Sequence, residues 1–346
     1  MDGCNSTSSF CLPYDGTQTR KRLEEVLKIM GPLIDGEGES LHTSPHLRRA
    51  RNRPRHEQEE TRSLSRLLYF LASAWLRQSI PSADALSSVR FRVVIAHYNQ
   101  PELLHLCLRT LMHQTHTNWT ACIVDDASDP DVVHQVKQLR SIFRSDSRFY
   151  WRYQSTNRGL LYSTFTGMEC LRPHNDDIVV WLDGDDFLWG DDVLRRVAAY
   201  YASDDIHLTF GSYISHWDPI GCCNCSAHNW THVAATNSYR DIEWTFSHLK
   251  TFRFGLVPHV NLTHMKDRSG KWLRSASDFA LMYPLLELSG GKFRCIPERL
   301  YYYNVKNPLS HHNNRDRSSG NGRSLAANQT DNARYVRHLP RYRPVV

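Results

Sequence analysis

The sequence predicts an α/β protein built on a mainly parallel sheet flanked by helices, in the Rossmann-like manner. Two observations carry this: from Phe91 onward short apolar runs alternate with amphipathic helical patterns, and several runs end in acidic or Asn-Gly clusters. At 346 residues the chain exceeds a typical domain but suits one large α/β domain with appendages. Hydrophobic residues at 40% and charged residues at 23% exclude wholesale disorder and a coiled-coil rod.

The first strand is expected at 91–96, where Phe91, Val93, Val94 and Ile95 gather. Asn99 is placed to cap the next helix, with Pro101 in its first turn and Leu104, Cys107, Leu108, Leu111 and Met112 on one apolar face. A second strand, 121–124, runs into Asp125-Asp126, and Asp129-Pro130 repeats the cap-then-proline signal. The third strand is expected at 149–153. After the turn Asn157-Arg158-Gly159 comes a helix to about Leu171, then the most apolar strand, 178–182, and directly Asp183-Gly184-Asp185-Asp186.

Ligands of open parallel sheets bind at the carboxyl ends of the strands, where loops converge. The three polar clusters lie there, so the fold would bring them together. Aspartates packed this densely repel one another unless a cation joins them. A hard cation such as Mg2+ or Mn2+ takes oxygen ligands and bridges carboxylates to substrate phosphates, which suits Asp183, Asp185 and Asp186. Asp and Gly are also ordinary turn residues, so the motif gains weight from its position after a buried strand.

From Val93 to Ser310 the motifs resemble, in order, those of the family 2 glycosyltransferases of the GT-A fold. Val-Val-Ile-Ala-His-Tyr-Asn at 93–99 is similar to the family's opening strand, Ile-Val-Asp-Asp-Ala-Ser at 123–128 to its nucleotide-binding element, and 183–186 to its Asp-x-Asp metal motif. Ser277-Asp278 resembles the segment that carries the base, while Leu300-Tyr-Tyr-Tyr-Asn and Asn307-Pro-Leu-Ser resemble the closing strand and loop.

The resemblance implies an inverting transferase that moves a sugar from a nucleotide diphosphate, a UDP-sugar, to a hydroxyl acceptor with Mn2+ or Mg2+. It implies that Tyr98 packs near the nucleobase, that Asp126 accepts a hydrogen bond from it and that Asp125 supports the pocket. Ala96, Asn157, Arg158, Asp183 and Gly184 complete the nucleotide site, and Asp278 is the general base. Asp278 opens a helix carried by Leu281, Leu285, Leu286 and Leu288, a place that an N-capping Asp would also take. The sequence departs from the family at Ser277, where Glu is common, at Ala127, where Gly is usual, and near Ser163 and Thr164, where an Arg is absent. Two alternatives share these features: nucleotidyl transfer on a similar sheet, and a non-catalytic nucleotide-sugar or glycan-binding module.

Three segments are expected: a helical N-terminal appendage over 1–88, the GT-A domain over 89–310 and a basic flexible tail over 311–346. The appendage shows helical spacing at Leu23, Val26, Leu27 and Met30 and at Leu64, Leu67, Leu68, Leu71 and Trp75. Its Arg run from Arg48 to Arg55 lacks interleaved aromatics, so no nucleic-acid partner is expected. Of the net charge of +6, the tail supplies +5, with seven Arg against two Asp, and a peripheral contact with acidic membrane is one use for it. The acceptor, whether glycan, lipid-linked or protein, is not legible; 244–257 is the expected acceptor wall. His311 and His312, just beyond the Asn-Pro-Leu-Ser loop, are read either as simply exposed ahead of the tail or as within reach of a metal or diphosphate.

No run reaches the ~20 apolar residues of a membrane span, and 64–76 is interrupted by Arg66. The N-terminus lacks a basic start and apolar stretch, so a cytoplasmic location is expected. Nine cysteines without regular spacing fit reduced thiols, and six Asn-x-Ser/Thr sequons at Asn5, Asn118, Asn224, Asn229, Asn261 and Asn328 would then be coincidental. Cys222, Cys223, Cys225, His228 and His232 form a candidate zinc cluster, with an interval shorter than structural sites use.

Overall fold

The computed structural model describes residues 86–345 except 204, 216–224, 226, 306 and 308–324. These fall in one compact unit, Ile80–Val346. The expectations for the appendage before Leu86, for Cys222 and Cys223 and for His311 and His312 lie outside the described residues. Leu86 packs in the same core as Phe91, so the domain begins before residue 89.

The strands are β1 Phe91–His97, β2 Trp119–Asp125, β3 Phe149–Tyr153, β4 Ile178–Asp183, β5 Phe187–Leu188, β6 Leu208–Ser215, β7 Lys250–Arg253 and β8 Phe293–Tyr303. They form one sheet in the order β3-β2-β1-β4-β7-β6-β8-β5. The first four strands are parallel, as expected. Beyond β4 the sheet is mixed, because β7 runs antiparallel to both β4 and β6, and β5 antiparallel to β8. The helices are α1 Pro101–Met112, α2 Pro130–Ile142, α3 Leu160–Leu171, α4 Val193–Ser203, α5 Trp230–Thr236, α6 Ser277–Leu288 and α7 Leu325–Arg337.

The near-continuous apolar stretches of β1, β2 and β4 reflect burial on both faces of the sheet. One face presents Val93, Ile95 and Leu182 to α1 and α4; the other presents Val94, Val179 and Trp181 to α3 and α6. Strand β1 leads outward to β2 and β3, whereas β4 returns to its other side, so the order reverses between β1 and β4. That reversal leaves a crevice at the strand ends.

Several local expectations change. Asn99 does not cap α1: it adopts a left-handed backbone, φ 55, and its side chain instead takes the Asp129 amide at 2.8 Å. Asp129 holds the N-cap position of α2 but directs its carboxylate to Asn99. Within 244–257 the aromatics Phe246 and Phe252 are fully buried and pack internally, and β7 fills the middle of the sheet.

The expectation of reduced thiols fails at Cys225, which is disulfide-bonded to Cys295 on β8. The bond also removes Cys225 from the candidate zinc cluster. Cys107, Cys122 and Cys170 remain thiols.

The tail also departs from a uniformly flexible segment. Helix α7 packs on α6, because the buried Arg240 guanidinium pairs with Glu287 at 2.6 Å and donates to the carbonyls of Val336 and Leu339. Glu287 accepts the Tyr342 amide in turn. Two tail arginines are used internally, Arg337 on the carbonyls of Arg240 and Ile242 and Arg341 on Asp241. Apolar Val336 closes the contact, which a polar sequence pattern conceals. Among the described residues no helix is long and apolar enough to cross a membrane.

Candidate active site

Register aligns the acidic clusters. Ala96 faces Val124 on one side and Asp183 on the other, and His97 faces Asp125. The 183–186 turn then folds back onto β1, with the Gly184 amide donating to the Ala96 carbonyl at 2.9 Å. A Cβ on Gly184 would lie 2.5 Å from that carbonyl oxygen, so only glycine allows the approach.

Asp125 is a structural carboxylate. It accepts from the His97 ring at 2.9 Å and from the Ser128 amide and hydroxyl. Burial pushes its carboxyl up, but the bonds from His97 and Ser128 outweigh this and hold it below the ordinary range. The Asn99 amide donates to Ser128, so the loops after β1 and β2 are knitted together. Ala127 between them takes φ 56, a left-handed conformation that favours the Gly usual at this place in the family.

Both oxygens of the buried Asp126 hold the 157–159 turn, accepting the amides of Arg158 at 2.8 Å and Gly159 at 2.7 Å. A carboxylate has further lone pairs, so a base contact adds to this role rather than replacing it. Burial raises Asp126 despite those amides and the Arg274 guanidinium nearby. Tyr98 is 43% exposed, which excludes a core aromatic, and it directly follows the end of β1. Asn157 accepts from Arg274 at 2.5 Å, and the exposed Arg158 lies over the Tyr162 ring.

The four positions 183–186 divide their work. Asp185 is tied to Asn307, and Asp186 accepts the Tyr301 hydroxyl at 2.6 Å and the Asn304 amide at 2.7 Å. Asp183 keeps a buried Oδ1 with no hydrogen-bond partner. Burial raises all three carboxyls, Asp183 to about 7, where Asp278 and Asp185 add to the rise and Lys250 opposes it.

Three ligand atoms, from Asp183, Asp186 and His248, lie within 4.8 Å of one another. His248 stacks on Tyr301 at 4.5 Å and on Tyr303, its Nδ1 is buried without a partner, and burial followed by Lys250 holds it well below its usual range. A neutral imidazole and two carboxylates, with orphaned Asp183 Oδ1 and His248 Nδ1, suit a divalent cation. Asp185, expected as a ligand, is not among the three that converge.

Asp278 is the second residue of α6; Ala276, at φ 57, holds the N-cap position. The carboxylate therefore does not act as that cap: Lys250 donates to it at 2.6 Å from a buried position over the Trp181 ring. Asp183 lies in the field of both Lys250 and Asp278, so the metal cluster and the expected base share one crevice.

Local pattern did not reveal His248 or Arg274, and it offered Lys250 only as part of the expected acceptor wall. His248 and Lys250 are reached because β7 runs antiparallel to β4, with Lys250 opposite Trp181, which brings the start of β7 beside the end of β4. Arg274 precedes α6 and crosses the 157–159 turn, its Cδ 3.2 Å from where a Gly159 Cβ would be. The absent helix arginine was the available signal.

Residues 92–220 match the family described as Glycosyl transferase family 2. Among solved structures, S. aureus TarS 1-349 is similar at 17% identity with a TM-score of 0.48, over 62% of this chain and 60% of that one. The same fragment in complex with UDP-GlcNAc is similar at 16% identity, with a TM-score of 0.49, over 62% of this chain and 58% of that one. The mannosyltransferase PcManGT from Pyrobaculum calidifontis, in complex with GDP-Man and Mn2+, is similar at 15% identity with a TM-score of 0.45, over 84% and 70%. The chain thus spans about 60% of the length of the TarS fragment. No curated protein matches.

Proposed function

We propose, for a chain whose residues 92–220 match glycosyl transferase family 2, an inverting transfer of a sugar from a nucleotide diphosphate, a UDP-sugar, to an acceptor hydroxyl. The observation that carries this reading is Asp183: it has a buried, unpartnered Oδ1, it belongs to the Asp183–Asp186–His248 cluster, and it lies in the field of the Lys250-held Asp278.

Asp183, Asp186 and His248 would hold Mn2+ or Mg2+, which supplies positive charge against the departing diphosphate. Tyr98 offers its exposed face to the base, and the turn fixed by Asp126 and Arg274 walls the nucleotide pocket. Asp278 takes the proton of the acceptor hydroxyl as its oxygen attacks the anomeric carbon on the face opposite the leaving group. Lys250 orients that carboxylate by its hydrogen bond.

A panel of nucleotide sugars incubated with acceptors, with and without Mn2+, tests the reading through product analysis. A glycosidic product with inverted anomeric configuration is expected. A phosphodiester product would establish nucleotidyl transfer instead, and donor binding without turnover on any acceptor would favour the non-catalytic module.

A further inference from the structure

We propose that this chain matures in an oxidising lumen and carries N-linked glycans on Asn229 and Asn261. The inference replaces the cytoplasmic expectation and is independent of the reaction at the crevice.

The first support is the disulfide. Cys225 and Cys295 are 70 residues apart, and their bond fastens the loop before α5 to β8. Making it requires two thiols to give up two electrons and two protons to a dithiol–disulfide exchange partner. Such bonds form and persist in secretory and extracellular compartments and are rare where glutathione keeps thiols reduced.

The second support is the sequons. Six of the seventeen asparagines begin Asn-x-Ser/Thr, about twice the number that chance placement of Ser and Thr predicts. The structure separates them by what the side-chain nitrogen does. Asn261, Leu262 and Thr263 are all exposed, and the Asn261 Oδ1 accepts both the amide and the hydroxyl of Thr263 at 3.0 and 2.8 Å. Its Nδ2, the atom a glycan joins, has no partner among the described residues. Asn229 is likewise exposed, at the N-cap of α5, where its Oδ1 accepts the His232 amide and Thr231 is exposed. Asn118 differs, because its Nδ2 donates to the Ser87 carbonyl at 2.7 Å and its neighbour Trp119 is core.

The modification joins Asn Nδ2 to the anomeric carbon of an oligosaccharide carried on a lipid diphosphate. The C–O bond to the diphosphate breaks, that group leaves with the electron pair, and the amide gives up one proton.

Peptide mapping of the full chain isolated from its source cells tests the proposal. Free thiols are alkylated first, digestion is non-reducing, and N-glycans are released enzymatically in 18O water. Expected are 18O-labelled aspartate at positions 229 and 261, an unlabelled Asn118 and a peptide pair joined through Cys225 and Cys295. Unmodified Asn229 and Asn261 would overturn the glycan assignment whether or not the disulfide is found, and alkylated Cys225 and Cys295 would overturn the oxidising compartment. In cells, Thr263→Ala should remove the Asn261 glycan and Thr231→Ala the Asn229 glycan, each read as one step of gel mobility. Since both substitutions alter exposed hydroxyls and keep the asparagine, an unchanged mobility in both would count against the sites and not against folding.

Discussion

The Lys250 ammonium and the Asp278 carboxylate are joined at 2.6 Å, and they differ sharply in exposure: the lysine side chain is 2% exposed and the aspartate 37%. A buried cation from the centre of the sheet thus holds a carboxylate that still reaches the crevice. One end of the pair is fixed in the core and the other is open to solvent.

Asp278→Asn should lower kcat by about 10²–10⁴-fold, the ordinary contribution of a general base, while nucleotide binding persists. Lys250→Met should also lower kcat, because the carboxylate loses its orienting partner. Steady-state kinetics beside nucleotide-induced thermal shifts make the distinction. Full turnover in Asp278→Asn would remove it from the chemistry.

Metal affinity should depend on pH through Asp183. Its carboxyl is pushed up to about 7 by burial, above the ~3.9 of an unfolded aspartate. The metal-free folded chain therefore binds the extra proton, and the stabilisation from this group, complete below about pH 4, is lost as pH rises through about 7. A cation must displace that proton, so Mn2+ affinity should climb as pH rises through about 7. Melting temperatures measured across pH in EDTA and in Mn2+ should converge at low pH and separate as it rises. Asp183→Asn should abolish the separation, and His248→Ala should weaken Mn2+ by at least the ~10–100-fold seen when a ligand's support is lost. Equal Mn2+ titrations for wild type and His248→Ala would exclude the histidine.

Arg274 crosses the turn that Asp126 secures, so Arg274→Ala should weaken UDP binding by about tenfold, the scale of one charge-assisted contact. Arg274→Lys should recover part of the loss, since it restores charge without the planar fork. Calorimetric titration with UDP reads both, and an unchanged Kd in Arg274→Ala would place the arginine outside the nucleotide pocket.

Arg240 binds Glu287 and the carbonyls at the end of α7, so Arg240→Ala leaves a buried carboxylate unpaired. The expected cost is about 3–5 kcal/mol in urea unfolding. Removal of residues 325–346 should destabilise the chain as well, by stripping the arginine of its carbonyl partners. A loss of under about 1 kcal/mol in both would mean that α7 is peripheral to the fold.

Much of the proposed nucleotide site was legible because its signals are local. Val93–Ile95, Ile123-Val124 and Ile178–Leu182 advertise buried strands, and the polar residues that follow them must then emerge at one edge of a parallel sheet. Asp278 was legible through the apolar helix behind it. The roles were less so. Asn99 and Asp129 each looked like a helix cap, yet they bond to each other, because the neighbouring strand ends bring the two loops within reach. The helix α7 was hidden by its polar composition, since one buried ion pair and a few apolar contacts, not a wide stripe, dock it.

The sequence by itself determined the parallel strands, the placement of Asp125, Asp126 and Asp183–Asp186 at their carboxyl ends, and the helix whose first turn holds Asp278. Periodicity records which side of an element is buried, and burial is a local property. Only the tertiary structure decided that β7 enters the sheet against β4 in the opposite direction, setting His248 beside Asp183 and Lys250 under Asp278. Strand adjacency and direction are chosen by the packing of the whole core, and no spacing within either strand encodes them.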